Sequence, residues 1–253
     1  MRGLIVATQF LTRLPTPPLD AWRDDDLRLA ANWFPVVGLI VGLLLAAAAL
    51  STAPVAPIVT PISVLFVWVW VTGAIHLDGL ADTADGMGAA HKSPDAFLKV
   101  ARDPTIGAWG VVTIVLTLLA KFAALGAPMF SDDVVATQDS IVAVFGTLVL
   151  VPAWARWVAC FCAHELPSLD DGRGASFAVG LSRRALIIQA GAYAAASLVT
   201  APALIVAPVI AIAFIWYWRG KLGGMSGDVM GATIEISEAI LLMAVVIAAG
   251  LVS

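Results

Sequence analysis

Residues 141–162 read IVAVFGTLVLVPAWARWVACFC, an apolar run with one charged residue, Arg156. An α-helix needs about 20 such residues to cross the hydrocarbon core of a bilayer. Six further runs qualify, at residues 33–50, 55–75, 106–130, 185–199, 201–218 and 233–252. The runs at 185–199 and 201–218 are too long together for one straight helix, and Pro202 predicts a turn between them. The sequence therefore predicts an all-α, polytopic transmembrane bundle of about seven spans.

The composition supports a membrane protein and excludes other classes. The chain is 60% hydrophobic and 13% charged, whereas soluble domains are about 45–50% apolar and about 25% charged. This apolar content excludes a disordered chain, and a net charge of −4 gives no basic surface for nucleic acid. We expect one integral membrane domain over residues 1–253, in which Cys160 and Cys162 are packed thiols.

The segment before the first span, residues 1–32, contains a short apolar stretch at residues 3–11. This stretch is too short to span a bilayer and has no small-residue cleavage site, so it does not read as a signal peptide. We expect a helix that either lies at the membrane interface or packs in the bundle.

The Lys and Arg residues lie on one side of the predicted membrane. Of the 14 in the chain, all but Lys121 and Arg156 precede the first run or follow the second, fourth and sixth runs, and the opposite loops have none. They are Arg2, Arg13, Arg23, Arg28, Lys92, Lys99, Arg102, Arg173, Arg183, Arg184, Arg219 and Lys221. Because cytoplasmic loops are enriched in Lys and Arg, this asymmetry predicts a cytoplasmic N-terminus.

The densest group of acids lies in HLDGLADTADG at residues 76–86. At about 100° per residue, Asp78, Asp82 and Asp85 fall within an arc of about 60° if the helix continues through them. Three carboxylates on one stripe repel one another, and a divalent cation turns that repulsion into binding. The stripe predicts a metal site, with a solvated acidic helix end as the alternative. His76 is on another face, where orienting a carboxylate, acting as a base and packing all stay open.

A second acidic stripe opens the last span, in GGMSGDVMGATIEISE at residues 223–238. Asp228 and Glu235 are about 20° apart on a helix, and Glu238 follows one turn later. Acids inside an apolar span indicate function, although Asp228 alone also suits a helix start.

The residues before this helix suggest an anion site. Backbone N–H groups at a helix N-terminus suit phosphate oxygens, and here they belong to Gly223, Gly224, Ser226 and Gly227. The spacing of Gly227 and Gly231 equally suits helix packing.

Two cations lie inside predicted spans, where an ionised group costs roughly 2.5–3.5 kcal/mol. We expect Lys121 to snorkel to the membrane surface. For Arg156, snorkelling and contact with an anionic ligand are equally open. Arg102 and Asp103, in the loop after the first stripe, suit phosphate recognition, with an ordinary cytoplasmic loop as the alternative.

These motifs resemble the signatures of the cobalamin synthase family, the adenosylcobinamide-GDP ribazoletransferases. The resemblance runs in order along nearly the whole chain, through FLTRLP at 10–15, FPVVG at 34–38, HLDGLADTADG at 76–86, RDPTIGAWG at 102–110 and GGMSGDVMGATIEISE at 223–238. Two residues depart from the usual pattern, Arg102 in place of Lys and Ser226 in place of Thr. Arg102 keeps the positive charge of Lys, and Ser226 keeps the hydroxyl group of Thr.

The resemblance implies a magnesium-dependent phosphotransferase of the bacterial inner membrane, with its active site facing the cytoplasm. It implies transfer of adenosylcobinamide-phosphate from adenosylcobinamide-GDP to α-ribazole or α-ribazole 5′-phosphate. GMP is released, in the last step of nucleotide-loop assembly in vitamin B12 synthesis. A homo-oligomer or a complex with other cobalamin-synthesis enzymes is left open.

With the resemblance, the site is expected in residues 76–105 and 219–238. The expected Mg²⁺ ligands are Asp78, Asp82 and Asp85, and the expected catalytic residues are Asp82, Asp228, Glu235 and His76. The residues expected to contact phosphate or substrate are Arg13, Arg102, Asp103, Arg156, Gly223, Gly224, Ser226, Gly227 and Glu238. Which acid is the base, how many metal ions bind and which lower-ligand base is accepted stay open.

Two rival functions remain at this point. Another membrane phosphotransferase or prenyltransferase would also have aspartate-rich helices, but the usual Asp-x-x-Asp-Gly-x-x-Ala-Arg pattern is absent. A cation-coupled transporter would also have buried acids and glycine-broken helices. The aspartate motif has no second copy in the sequence, which disfavours an inverted repeat.

Overall fold

The computed structural model describes residues 1–19, 21, 23, 25–90, 93–127, 138–169 and 173–251, without the side chains of 138–140 and 173–176. Of the cations named above, Lys92 lies outside the described residues. The helices of the described chain are α1 (Arg2–Leu11), α2 (Asp26–Ala31), α3 (Phe34–Thr52), α4 (Thr60–Thr72), α5 (Ile75–Met87), α6 (Pro94–Ala101), α7 (Ala108–Leu125), α8 (Gln138–Glu165), α9 (Arg173–Gly180), α10 (Arg183–Thr200), α11 (Ala207–Lys221) and α12 (Gly227–Gly250). The predicted all-α fold is confirmed.

Each of the seven predicted runs contains a helix, but not all of these helices are apolar enough to cross a membrane alone. Five candidates are long and apolar enough: α3, α7, α8, α12, and α11 together with the turn that precedes it. α4 and α5 qualify only as a bent pair, which gives up to six candidates against the expected seven or so. α10 begins with Arg183 and Arg184, which lowers its mean hydropathy.

The centre of the bundle is the contact between α3 and α8. A Cβ on Gly38 would lie 2.5 Å from the carbonyl oxygen of Pro152, and a Cβ on Gly42 would lie 2.4 Å from that of Val149. Since small residues let helices approach closely, these glycines allow the two backbones to touch. Further along α8, Cys160 and Cys162 are buried and free, as predicted.

The N-terminal segment packs against one end of the bundle. Val6, Ala7 and Leu11 of α1 are buried, and Asp26 of α2 accepts hydrogen bonds from Arg2 at 2.6 and 2.7 Å. The segment thus packs against the bundle, in line with one of the two expectations for it.

Asn32, just after α2, ties this segment to the second half of the chain. Its side chain donates to the carbonyl of Gly180 at 2.7 Å and accepts from the N–H of Ser182 at 2.8 Å. Gln189 of α10 donates to the Asn32 carbonyl at 2.8 Å. These bonds fix α2 against the α9–α10 connection.

A sharp bend separates α4 from α5. The two helix axes meet at 85°, and Gly73 and Ala74 at the break have φ of 62° and 60°. The side chain of Arg13 packs over Gly73, since a Cβ there would lie 2.7 Å from Arg13 Nε. The bend turns α5 across the start of α12 and thereby positions the acidic stripe.

Candidate active site

α5 and α12 cross with their backbones in contact. A Cβ on Gly79 would lie 2.9 Å from the carbonyl oxygen of Asp228, and one on Gly231 would lie 3.2 Å from that of His76. The packing explanation for Gly231 is therefore confirmed, whereas Gly227 has open space beside its Cα. This crossing brings the two acidic motifs of the sequence together.

The acids of α5 lie on one stripe, as their spacing predicted, because α5 is continuous through all of them. Asp78 is exposed and Asp82 is half-buried. The charged neighbours that act on Asp82 are themselves acids, namely Asp78, Asp85 and Asp228. These carboxylates repel one another, and a bound cation would relieve that repulsion.

Asp85 has a structural role that the sequence analysis missed. Its Oδ2 accepts the N–H of Gly107 at 2.6 Å and its Oδ1 accepts that of Gly110 at 2.9 Å. Gly107 is the N-cap residue of α7, so Asp85 satisfies N–H groups that have no partner within the helix. A Cβ at either glycine would lie 2.5 Å from the carboxylate. The sequence feature that could have indicated this contact is the pair Gly107 and Gly110 at the start of α7.

The donor set suits a magnesium ion held partly by substrate. Across the described residues, no three His, Cys, Asp or Glu side chains converge into a ready-made metal cage. Mg²⁺ in phosphoryl-transfer enzymes keeps several waters and takes only one or two carboxylates in addition to phosphate oxygens. Two carboxylates among Asp78, Asp82 and Asp228 would meet this requirement, whereas both oxygens of Asp85 are already engaged.

The start of α12 is built by Ser226 and the glycines before it. Ser226 Oγ accepts the N–H of Val229 at 3.3 Å, as an N-cap residue does. Gly223 has a φ of 78°, which favours glycine, and Gly224 packs against the carbonyl of Pro167. The first turn of α12, with its backbone N–H groups, thus begins beside α5.

Glu235 and Glu238 lie apart from this site, in a closed ionic cluster. Lys121 Nζ of α7 lies 2.6 Å from Glu235 and 2.5 Å from Glu238, and Arg156 Nη1 of α8 lies 3.0 Å from Glu238. The cluster begins about 10 Å beyond Asp228 along α12. Its acids face cations, unlike the acids of α5.

The two cations of this cluster correct our expectations. Lys121 is 2% exposed and lies 4.6 Å from the ring centre of Trp68, so the snorkelling prediction is wrong. Arg156 is fully buried and donates to Pro152 and Glu238, so it does not snorkel either. Paired acids hold both side chains inside the bundle.

The predicted phosphate-binding residues of the loops lie at the same end as α5. Arg13 is exposed beside the α4–α5 bend, and its N–H donates to the carbonyl of Val71 at 2.8 Å. Arg102 is exposed at the end of α6. Asp103 accepts hydrogen bonds from the hydroxyl and amide of Thr105, which hold the pKa of its carboxyl below the usual value.

His76 lines an apolar cavity of about 240 Å³ that also reaches Asp78 and Asp228. The imidazole is 4% exposed, and its Nε2 has no hydrogen-bond partner among the described residues. Its lining also contains Phe10 and Phe34, the first residues of FLTRLP and FPVVG, to which the sequence analysis gave no role. Nothing in the two motifs indicates that they meet, so this cavity becomes visible only in the fold.

Comparisons with known proteins agree with the resemblance of the motifs. The family model described as cobalamin-5-phosphate synthase matches residues 3–246. The adenosylcobinamide-GDP ribazoletransferase of Novosphingobium aromaticivorans is 45% identical over 98% of this chain and 97% of its own length. The protein of that name from Thiobacillus denitrificans is 42% identical over 96% of this chain and 94% of its own length. No solved structure matches the chain.

Proposed function

The chain belongs to the cobalamin-5-phosphate synthase family, and on this premise we propose that it transfers adenosylcobinamide-phosphate from adenosylcobinamide-GDP to α-ribazole or α-ribazole 5′-phosphate. A ribose hydroxyl of the acceptor forms a new P–O bond to the phosphorus that carries adenosylcobinamide. The P–O bond to the departing nucleotide breaks and GMP leaves. The hydroxyl proton passes to a carboxylate.

The observation that supports this proposal is the α5–α12 crossing, where Asp78 and Asp82 lie near Asp228 at the edge of a cavity. Phosphoryl transfer depends mainly on positioning and on neutralising charge. Two of these three carboxylates would hold Mg²⁺ together with substrate oxygens, and the ion when bound would supply positive charge at the pyrophosphate. Asp82 and Asp228 are the candidates to accept the hydroxyl proton, because Glu235 is already paired with Lys121.

The cations of the loops supply the remaining contacts with phosphate. Arg102 lies on the exposed end of α6, and Lys99 lines a cavity of about 510 Å³ that also reaches Asp85 and Asp103. The N–H groups at the start of α12 add partial positive charge beside Asp228. We do not assign this role to Arg156, which is buried against Glu238.

The proposed location is the bacterial inner membrane, with the site facing the cytoplasm. The chain is a multi-pass membrane protein by its apolar helices, and its loop cations predict a cytoplasmic N-terminus. α12 begins at the site and runs for 24 residues, or about 36 Å, so its end reaches the other face. Alkaline phosphatase is active only outside the cytoplasm, so a fusion after Gly250 should be active. If that fusion is inactive and a fusion at Met1 is active, the orientation is the reverse of the one proposed.

The deciding experiment is an assay of the purified protein in detergent with adenosylcobinamide-GDP and α-ribazole, with and without Mg²⁺. We expect GMP and the corrinoid product in equal amounts, and only with the metal. Asp82→Asn should abolish turnover, whereas Asp95→Asn, on the exposed face of α6, should not. Unchanged turnover and metal dependence in Asp82→Asn would remove Asp82 from the site.

The same preparation tests the transporter alternative. In liposomes, uptake of a labelled corrinoid without release of GMP would favour transport over transfer. The names of the relatives favour transfer.

A further inference from the structure

The cavity beside the acidic site has an aromatic wall built from three distant helices. The rings of Phe10 and Phe34 stack with centres 5.8 Å apart, and those of Phe34 and Phe177 are 4.5 Å apart. Leu11 and Leu27 add aliphatic surface. Stacked and tilted ring pairs of this kind offer flat faces to a further aromatic ring.

Within this apolar lining, His76 has an unmet need for a hydrogen bond. Its side chain is 96% buried, since only 4% is exposed, and its Nε2 has no partner within the described part of the chain. Buried polar groups are almost always hydrogen-bonded, and leaving one without a partner is costly. A ligand that fills the cavity and offers one hydrogen-bonding atom removes this cost.

The size of the cavity limits the ligand. A cavity of about 150 Å³ can hold benzene, so one of about 240 Å³ holds a fused two-ring aromatic group. A corrin macrocycle is far too large. The cavity therefore suits an aromatic base rather than the corrinoid part of the donor.

The polarity of the cavity distinguishes among aromatic bases. Guanine and adenine have several polar atoms on their edges, and each one needs a partner when it is buried. Of the polar side chains in the described lining, only that of His76 is buried, since Asp78 is exposed and Asp228 is half-buried. A base with a single ring nitrogen that accepts a hydrogen bond matches this lining.

We propose that the cavity is the acceptor subsite: it binds the two-ring aromatic base of the acceptor nucleoside against Phe34, and His76 Nε2–H donates to the free ring nitrogen. This inference rests on the proposed function for the identity of the acceptor. The same cavity reaches Asp78 and Asp228, so a ribose attached to the bound base extends toward the carboxylates. Phe10 and Leu27 give the N-terminal segment a direct part in substrate recognition.

The test uses two probes of the same shape, 1-methylbenzimidazole and 1-methylindole, which differ by one ring nitrogen. Calorimetric titration of the full-length protein in detergent should show about tenfold tighter binding of 1-methylbenzimidazole, the gain expected from one buried hydrogen bond. α-Ribazole should displace this probe and adenosylcobinamide-GDP should not. Equal binding of the two probes, or displacement only by the donor, would overturn the proposal.

His76→Phe should remove the preference between the probes while it keeps a flat ring in the wall. A preference that persists in this variant would overturn the assignment of the hydrogen bond to His76. Because His76 packs on Gly231, a second variant that leaves α5 intact is needed.

Leu27→Phe narrows the cavity from α2 and should raise the KM for α-ribazole several-fold, with the KM for adenosylcobinamide-GDP and kcat unchanged. Leu29→Phe, on the exposed face of the same helix, is the matched control and should change neither KM. A raised donor KM, or no change in the acceptor KM, would contradict the proposal.

The two hypotheses fail separately. A protein that releases GMP yet binds both probes equally keeps the proposed function and loses this subsite. A protein that prefers 1-methylbenzimidazole, exchanges it for α-ribazole and never releases GMP keeps the subsite and loses the proposed function.

Discussion

Two groups of acids lie on α12, and they differ in what packs against them. Asp228, in the first turn, lies near the carboxylates of α5. Glu235 and Glu238, two turns further on, contact Lys121 and Arg156 of neighbouring helices. Acids on the same helix thus face other acids in one place and cations in the other.

The two places differ in whether their charges are balanced by other residues of the protein. In the buried cluster, the charges of two acids and two cations balance inside the bundle, where a single unbalanced charge would be very costly. At the α5–α12 crossing, acids face acids, and the balance must come from outside the protein. This difference supports the proposal that the site binds a cation together with a charged substrate, whereas the cluster joins α7, α8 and α12.

The largest expected effect is on turnover. Asp228→Asn keeps the shape of the side chain and removes its charge, so turnover should fall by about 10²–10⁴-fold, as when an acid–base group is lost. Wild-type turnover with an unchanged metal requirement would show that Asp228 takes no part in the site.

The next effect is on stability. Glu238→Gln leaves Lys121 and Arg156 with one acid between them, and should lower the free energy of unfolding by about 3–5 kcal/mol. Turnover of the molecules that remain folded should fall far less than in Asp228→Asn. Denaturant titration together with turnover per folded molecule measures both effects, and a selective loss of turnover would place Glu238 in catalysis.

A matched variant tests the cause of this instability. Adding Arg156→Met to Glu238→Gln restores the charge balance, with Lys121 and Glu235 left as a pair. The double variant should be more stable than Glu238→Gln alone. If the two losses simply add, the pairing is not what holds these helices.

A smaller effect distinguishes the two roles considered for Asp85, as the cap of α7 and as a metal ligand. As the cap of α7, Asp85→Asn should cost about 1 kcal/mol of unfolding free energy and less than a tenfold loss of turnover. Thermal unfolding and steady-state assays with varied Mg²⁺ measure these quantities. A loss of 10²-fold or more that high Mg²⁺ relieves would instead identify Asp85 as a metal ligand.

The smallest effect concerns pH. The hydrogen bonds from Arg2 hold the pKa of Asp26 below its usual value. The stability from this pair is therefore fully present above the usual carboxyl pKa of about 4, and is lost as the pH falls through the lower folded value. Asp26→Asn should lower the unfolding temperature at pH 7 and should flatten the acid decline. An unchanged decline in unfolding temperature between pH 5 and 2 would assign it to other groups.

The helices and the stripe on α5 were predictable because their causes are local. Long apolar runs form helices wherever their backbone must be hydrogen-bonded internally, and the period of the α-helix places Asp78 and Asp82 on one face. The apolar run of the last span starts at residue 233, because the first turn of α12 is polar. The N-cap and glycine signals nevertheless predicted a helix start near Asp228, and α12 begins at Gly227.

The contacts that assign roles to the acids were not predictable from one sequence. Lys121 and Glu235 are 114 residues apart, and no spacing along the chain indicates that α7 faces α12 at that level. The wall formed by Phe10, Phe34 and Phe177 likewise depends on three helices that meet only in the fold. The sequence shows which residues are unusual, and packing decides which of them face each other.

The bonds of Asn32 have a consequence for the order of events during synthesis. The partners of Asn32, Gly180 and Ser182, lie 148 and 150 residues later in the chain. Because the ribosome releases the N-terminus first, α1 and α2 emerge long before α9 exists to cover Phe34. The cavity can close only after residue 182 has been made, so a nascent chain that stops earlier exposes an aromatic surface to chaperones and proteases.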